Sequence, residues 1–168
     1  MHILLTRQLK DSSDLIFRFN ELGHMVSHLP LLIIKKVLYD HKIFKNYKSI
    51  IFTSANAIKF LDTKEIDKNI KCFCVGSATE KKAKSEGFQN IITADGNVRN
   101  LKELILQNLE PSDGNVVYVS GEIISSDLDQ HLINEGYSVK RVINYKTIHN
   151  ENFDERFVKN LKLNIPDI

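Results

Sequence analysis

The sequence carries few of the features that mark a specialised chain. It has only two cysteines, Cys72 and Cys74, which alternate within one apolar run. Both are expected on one face of a strand, buried and reduced, which argues against a disulfide framework or a metal site. The net charge is only +2, with Lys and Arg scattered and no basic run interleaved with aromatics, so nucleic acid is not an expected partner. No stretch approaches the roughly 20 apolar residues of a membrane span. The start runs directly into Ile3-Leu4-Leu5 without the basic and apolar regions of a signal peptide, so cytoplasm is the expected compartment and no membrane partner is expected. There is no G-x-G-x-x-G, no G-x-x-x-x-G-K-[ST], and no strand ending in an acidic cluster suited to Mg²⁺. His2, His24, His28, His41, His131 and His149 show no ligand spacing with Asp, Glu or Cys and are read as surface or strand residues.

The composition, 42% hydrophobic and 26% charged, is that of a globular protein with ample core material. Within it one pattern recurs. Ile50-Ile51-Phe52 runs into Thr53-Ser54-Ala55-Asn56, Cys72-Phe73-Cys74-Val75 into Gly76-Ser77-Ala78-Thr79, and Val116-Val117-Tyr118-Val119 into Ser120-Gly121-Glu122. Strand, small turn, helix is how a parallel sheet gathers free N–H groups and positive helix ends at one rim. With no acidic or nucleotide signature in those turns, the expected ligand is a polyanion held mainly by backbone donors. Helix capping and chain reversal demand similar residues, so the turns alone do not decide the matter.

The pattern along the chain predicts strands near 2–6, 25–29, 49–53, 71–75, 90–93, 115–119 and 139–145. Helices are expected near 55–62, 77–86, 98–109 and 125–135, and one after residue 11 with Asp11 or Ser12 as cap. Residues 31–48 read as a connection out of one unit into another. Residues 37–148 then form a complete domain: a doubly wound, parallel five-stranded, flavodoxin-like α/β sheet. Residues 1–36 plus 149–168 supply two strands and two helices, too little to bury both faces of a parallel sheet. They are expected to be an incomplete second α/β domain, short by on the order of 60–80 residues.

The order of short motifs resembles the uroporphyrinogen-III synthase family. The motifs are Leu4-Leu5-Thr6-Arg7, Leu22-Gly23, Ile51-Phe52-Thr53-Ser54-Ala55-Asn56-Ala57, Val75-Gly76-Ser77-Ala78-Thr79 and Glu86-Gly87-Phe88. They continue with Tyr118-Val119-Ser120-Gly121, Leu132 to Gly136-Tyr137, and Val142-Ile143-Asn144-Tyr145-Lys146-Thr147. The resemblance implies two α/β domains joined by a two-stranded linker, the first discontinuous, with the active site in the cleft between them, and it identifies this chain as a C-terminally shortened member. It also implies a carbon–oxygen lyase that cyclises hydroxymethylbilane to uroporphyrinogen III, without metal or organic cofactor.

The implied substrate is a linear tetrapyrrole polycarboxylate, and a complete form is expected to be a monomer. Tyr145 matches the tyrosine placed near the departing hydroxyl; a phenol keeps its proton at neutral pH and can donate it. Thr79 matches a cleft-facing threonine and is the second catalytic candidate. Thr6, Arg7, Thr53, Ser54, Ala55, Gly76, Ser77, Ser120 and Gly121 are the expected substrate-binding residues. Two alternatives stand beside this reading: a catalytically inactive family remnant that at most binds, and an unrelated flavodoxin-like ligand-binding domain.

Overall fold

A computed structural model describes residues 1–168. The chain divides into two compact units, one made of Met1–Lys35 with Thr147–Ile168 and the other of Lys36–Lys146.

In the first unit, β1 (His2–Leu5) and β2 (Met25–His28) pair in parallel, with His2 opposite Met25. Helix α1 (Leu9–Glu21) makes the crossover and stops where Gly23 takes a positive φ of 76°. The helix begins earlier than its sequence suggests. Gln8 is the N-cap and makes no side-chain cap bond, while Ser12 lies inside the helix and is buried. A small hydroxyl residue suits a packed helix face as well as a cap, and here packing takes it. After α6 (Glu155–Leu163), the final residues run beside β1: Asp167 N–H donates to His2 O and Leu4 N–H to Ile168 O, both at 2.7 Å.

The second unit is built on β4 (Ser49–Phe52), β5 (Lys71–Val75), β6 (Ile91–Ala94), β7 (Val116–Gly121) and β8 (Val139–His149). Its helices are α2 (Ala55–Lys59), α3 (Gly76–Ser85), α4 (Val98–Asn108) and α5 (Leu128–Asn134). A further strand, β3 (Leu32–Lys36), which the division of the chain assigns to the first unit up to Lys35, takes the edge beside β8, so the sheet has six strands in the order β3-β8-β7-β4-β5-β6. The sequence pattern predicts five strands and a connection over 31–48; an edge strand ending in Lys35-Lys36 carries little of the apolar signal of a central strand. Val37 N–H donates to Asn144 O and Asn150 N–H to Leu31 O, so β3 and β8 run antiparallel.

The parallel strands depart from the flavodoxin-like order. Counted along the unit they lie third-second-first-fourth-fifth, because β5 and β6 extend outward from β4 and the chain then returns to lay β7 on its other side. Right-handed crossovers reverse face when the direction of travel reverses. Accordingly α2 and α3 cover one face, where Ala57, Ile58 and Ala83 pack with Ile50, Phe52, Cys72, Cys74, Val117 and Val119. Helices α4 and α5 cover the other, where Leu101, Ile105, Leu128 and Leu132 meet Ile51, Phe73, Val116 and Tyr118. Both cysteines are buried, free and on one face. No helix is long and apolar enough to cross a membrane.

Candidate functional site

Parallel pairing aligns the strand ends. Phe52 stands opposite Cys74 on one side and Val119 on the other, so the chain leaves β4, β5 and β7 at the same rim of the sheet. The strand order reverses between β4 and β7, the place where open α/β sheets leave a crevice outside their carboxyl ends. On the α4–α5 side of that rim lies a cleft of about 820 Å³, lined among others by Thr53, Val75, Asn97, Arg99, Ser126 and His131.

At the first turn, Thr53 Oγ1 and Tyr118 Oη share a hydrogen bond of 3.0 Å. Burial raises the Tyr118 phenol pKa, partly opposed by that bond and by the Arg141 charge. Ser54 is the N-cap of α2, its Oγ accepting from Asn56 N–H at 3.2 Å, and Ala55 opens the helix. One amide expected to face a ligand is therefore already engaged.

The second turn is the donor-rich one. Helix α3 starts at Gly76, whose positive φ of 75° favours glycine although a Cβ there would meet nothing within 4 Å. Its N-cap, Val75, offers no side-chain acceptor and the first turn has no acidic residue. Gly76, Ser77 and Ala78 thus present the helix's positive end without a capping partner. Thr79 follows one turn in and is buried.

The third turn differs from its sequence pattern. Ser120 and Gly121 continue β7 as strand, and the helix begins only at Leu128, well after the expected residue 125. Glu122 N–H donates to Tyr145 O at 2.9 Å. Arg141 takes up the polar groups that remain: Nε donates to Ser120 Oγ at 2.8 Å, and Nη2 to the carbonyls of Gly121 and Glu122 at 2.7 and 2.8 Å. In this turn the Glu122 amide is taken by the Tyr145 carbonyl, while Arg141 fills the Ser120 hydroxyl and two carbonyl acceptors.

Tyr145 belongs to this cluster. It is half-buried, packs against the α2–α3 face and lies 6.4 Å from the Phe60 ring, centre to centre. Thr6 and Arg7 belong to the other unit, in the exposed turn after β1, where the Arg7 carbonyl accepts from His28 Nε2 at 2.7 Å. No group of three His, Cys, Asp or Glu residues is spaced to hold a metal ion.

Sequence reasoning missed Arg141 and Asn144, as well as Arg99 and Ser126 in the cleft. Asn144 left the one readable trace. It puts an amide into the apolar run Val142-Ile143-Asn144-Tyr145, and its buried Nδ2 donates to Ala57 O at 2.6 Å.

A protein-family model described as uroporphyrinogen-III synthase HemD matches residues 13–168. A mutant uroporphyrinogen III synthase from the extremely thermophilic bacterium Thermus thermophilus aligns with a TM-score of 0.64 at 14% identity, covering 89% of this chain and 64% of its own length. The uroporphyrinogen-III synthetase of Helicobacter pylori 26695 aligns with a TM-score of 0.62 at 20% identity, covering 99% of this chain and 68% of its own. No curated protein matches significantly. The chain thus spans about two thirds of the solved proteins it resembles, and these likenesses establish a mixed α/β fold with parallel sheets. The family match, over nearly the whole chain, is decisive: the chain belongs to the uroporphyrinogen-III synthase family.

Proposed function

We propose that this protein acts as a uroporphyrinogen-III synthase, a cyclising carbon–oxygen lyase of tetrapyrrole biosynthesis. Its substrate is hydroxymethylbilane and its products are uroporphyrinogen III and water. The pyrroles supply the electron push: loss of the hydroxymethyl oxygen as water leaves an electrophilic methylene, and the far pyrrole attacks through its substituted carbon. The spiro intermediate then opens and recloses with the last ring inverted. The protein's task is to assist hydroxyl departure, hold the chain folded and exclude water.

The observation that carries this reading is the uncapped start of α3 at the rim, beside turns that leave the sheet in register. Carboxylate arms would be held by the amides of Gly76 and Ser77 together with Thr53, Ser54 and Ala55. Thr6 and Arg7 belong to the same proposal as carboxylate ligands. Thr79 would act on the substrate through its hydroxyl, and Tyr145 would donate to the departing hydroxyl. Ser120 and Gly121 belong to the same proposal through their backbone, with Arg141 holding the Ser120 hydroxyl and the Gly121 carbonyl. In this reading residues 1–36 with 149–168 are the discontinuous first α/β domain, 37–148 the second, and β3 with β8 the linker.

The deciding assay incubates the 168-residue chain with hydroxymethylbilane and separates the uroporphyrinogen isomers. Isomer III is the expected product. Isomer I alone, at the rate seen without protein, would refute the activity, and tetrapyrrole binding without isomer III would leave a binding protein of the same family.

A further inference from the structure

The pairing of β7 with β8 changes register once. Ser120 stands opposite Ile143, but Gly121 stands opposite Tyr145, so Asn144 is an extra residue, a β-bulge. Up to that point alternation puts Val142 on the α2–α3 face and would send Asn144 there and Tyr145 to the opposite face. The bulge lets both face the same way: Asn144 reaches Ala57 O, and Tyr145 packs against the same cluster.

The bulge brings the Tyr145 ring directly over Gly121. A Cβ on Gly121 would lie 2.7 Å from both Cε2 and Cζ of Tyr145 and 3.0 Å from its hydroxyl oxygen. Gly121 itself has an ordinary backbone conformation, so the ring's space is what demands glycine. At the same turn, Arg141 grips Ser120 Oγ and the carbonyls of Gly121 and Glu122, and Glu122 N–H closes onto Tyr145 O.

We infer that Gly121, the Asn144 bulge and the Arg141 clamp form a seat that sets the position of the Tyr145 hydroxyl, making Gly121 and Arg141 positioning residues for the step that uses it. The catalytic part of this inference rests on the proposed role of Tyr145. The seat itself does not. An alanine at position 121 must displace the phenol, and misplacing a reacting group by about 1 Å costs on the order of 100-fold in rate.

The test uses the whole chain labelled with 3-fluorotyrosine, whose five tyrosines give separate ¹⁹F lines. The Tyr145 line is the one that vanishes in Tyr145→Phe. Gly121→Ala should move that line and lower kcat for isomer III on the order of 100-fold, with KM little changed. In a Tyr145→Phe background the same substitution should cost no further kcat, because the group it displaces is already gone. An unmoved line, or an equal kcat loss in the Phe background, overturns the inference. Should Gly121→Ala fail to fold, Arg141→Lys replaces it, keeping the charge but losing the planar fork; here too an unmoved line overturns the seat. If the parent chain makes no isomer III, the proposed activity fails while the ¹⁹F shift still decides the seat.

Discussion

Replacing Asn144 by aspartate should turn a silent structural residue into a pH-dependent fault. Asn144 is fully buried, and its Nδ2 serves the carbonyl of Ala57 near the end of α2. That carbonyl lacks an intrahelical partner, because Leu61 N–H goes to Ile58 O instead. An ionised aspartate would set a charge against a carbonyl oxygen in the core, whereas a protonated one could still donate. Its folded pKa must therefore rise above the unfolded value of about 3.9. A raised acid pKa makes folding favour the protonated form, so the variant's deficit is small below about pH 4 and grows as pH rises towards the folded pKa. The slope is about 1.4 kcal/mol per pH unit, or about 2.7 kcal/mol between about pH 5 and pH 7. Asn144→Ala has nothing to ionise; it leaves the carbonyl unpaired and should cost about 1–3 kcal/mol at every pH. Urea unfolding of the parent and both variants at pH 5 and pH 7 separates the cases. An Asp deficit that is equal at both pH values, or an Ala variant within about 0.5 kcal/mol of the parent, would refute the assigned role of this hydrogen bond.

Three further outcomes are expected. Asn97 caps α4, its Oδ1 accepting from the amides of Arg99 and Asn100, so Asn97→Ala should cost about 1 kcal/mol in urea unfolding. Lys82 first, and Thr63 next among the hydrogen bonds, hold the Glu86 carboxyl below its usual pKa. That stabilisation exists above the unfolded carboxylate pKa and is lost as acid protonates the folded group, so Glu86→Gln should cost less than about 1 kcal/mol at pH 7 and approach nothing at low pH. Tyr145→Phe should slow isomer III formation while leaving the melting temperature nearly unchanged; an unchanged rate would remove the phenol from the reaction.

The alternation of elements was readable because it is local. Runs such as Ile50-Ile51-Phe52 and Val116-Val117-Tyr118-Val119 have the length and composition of buried parallel strands, and the stripe Leu101, Ile105 and Leu109 has helical spacing with Asn97 before it. The order of the strands was not readable, because nothing within β6 states that α4 must return across the sheet to set β7 beside β4. Strand β3 escaped because an edge strand needs only one apolar partner. At the site, a helix opening just after Val75-Gly76-Ser77 was legible in the sequence, whereas the missing cap shows only in the structure, where Val75 rather than a hydroxyl residue takes the N-cap position. The third turn was misread because its fate depends on Arg141, distant in sequence, and on a bulge that only the pairing of β7 and β8 reveals.

The division of the chain carries a consequence for how the protein is made. Lys36–Lys146 is a continuous segment, whereas the other unit needs Met1–Lys35 and Thr147–Ile168 together. On the ribosome the inner segment is complete while part of its companion is still untranslated, so it can condense first as a closed insert. Thr147–Ile168, which the amino-terminal unit needs, is made only after that inner segment.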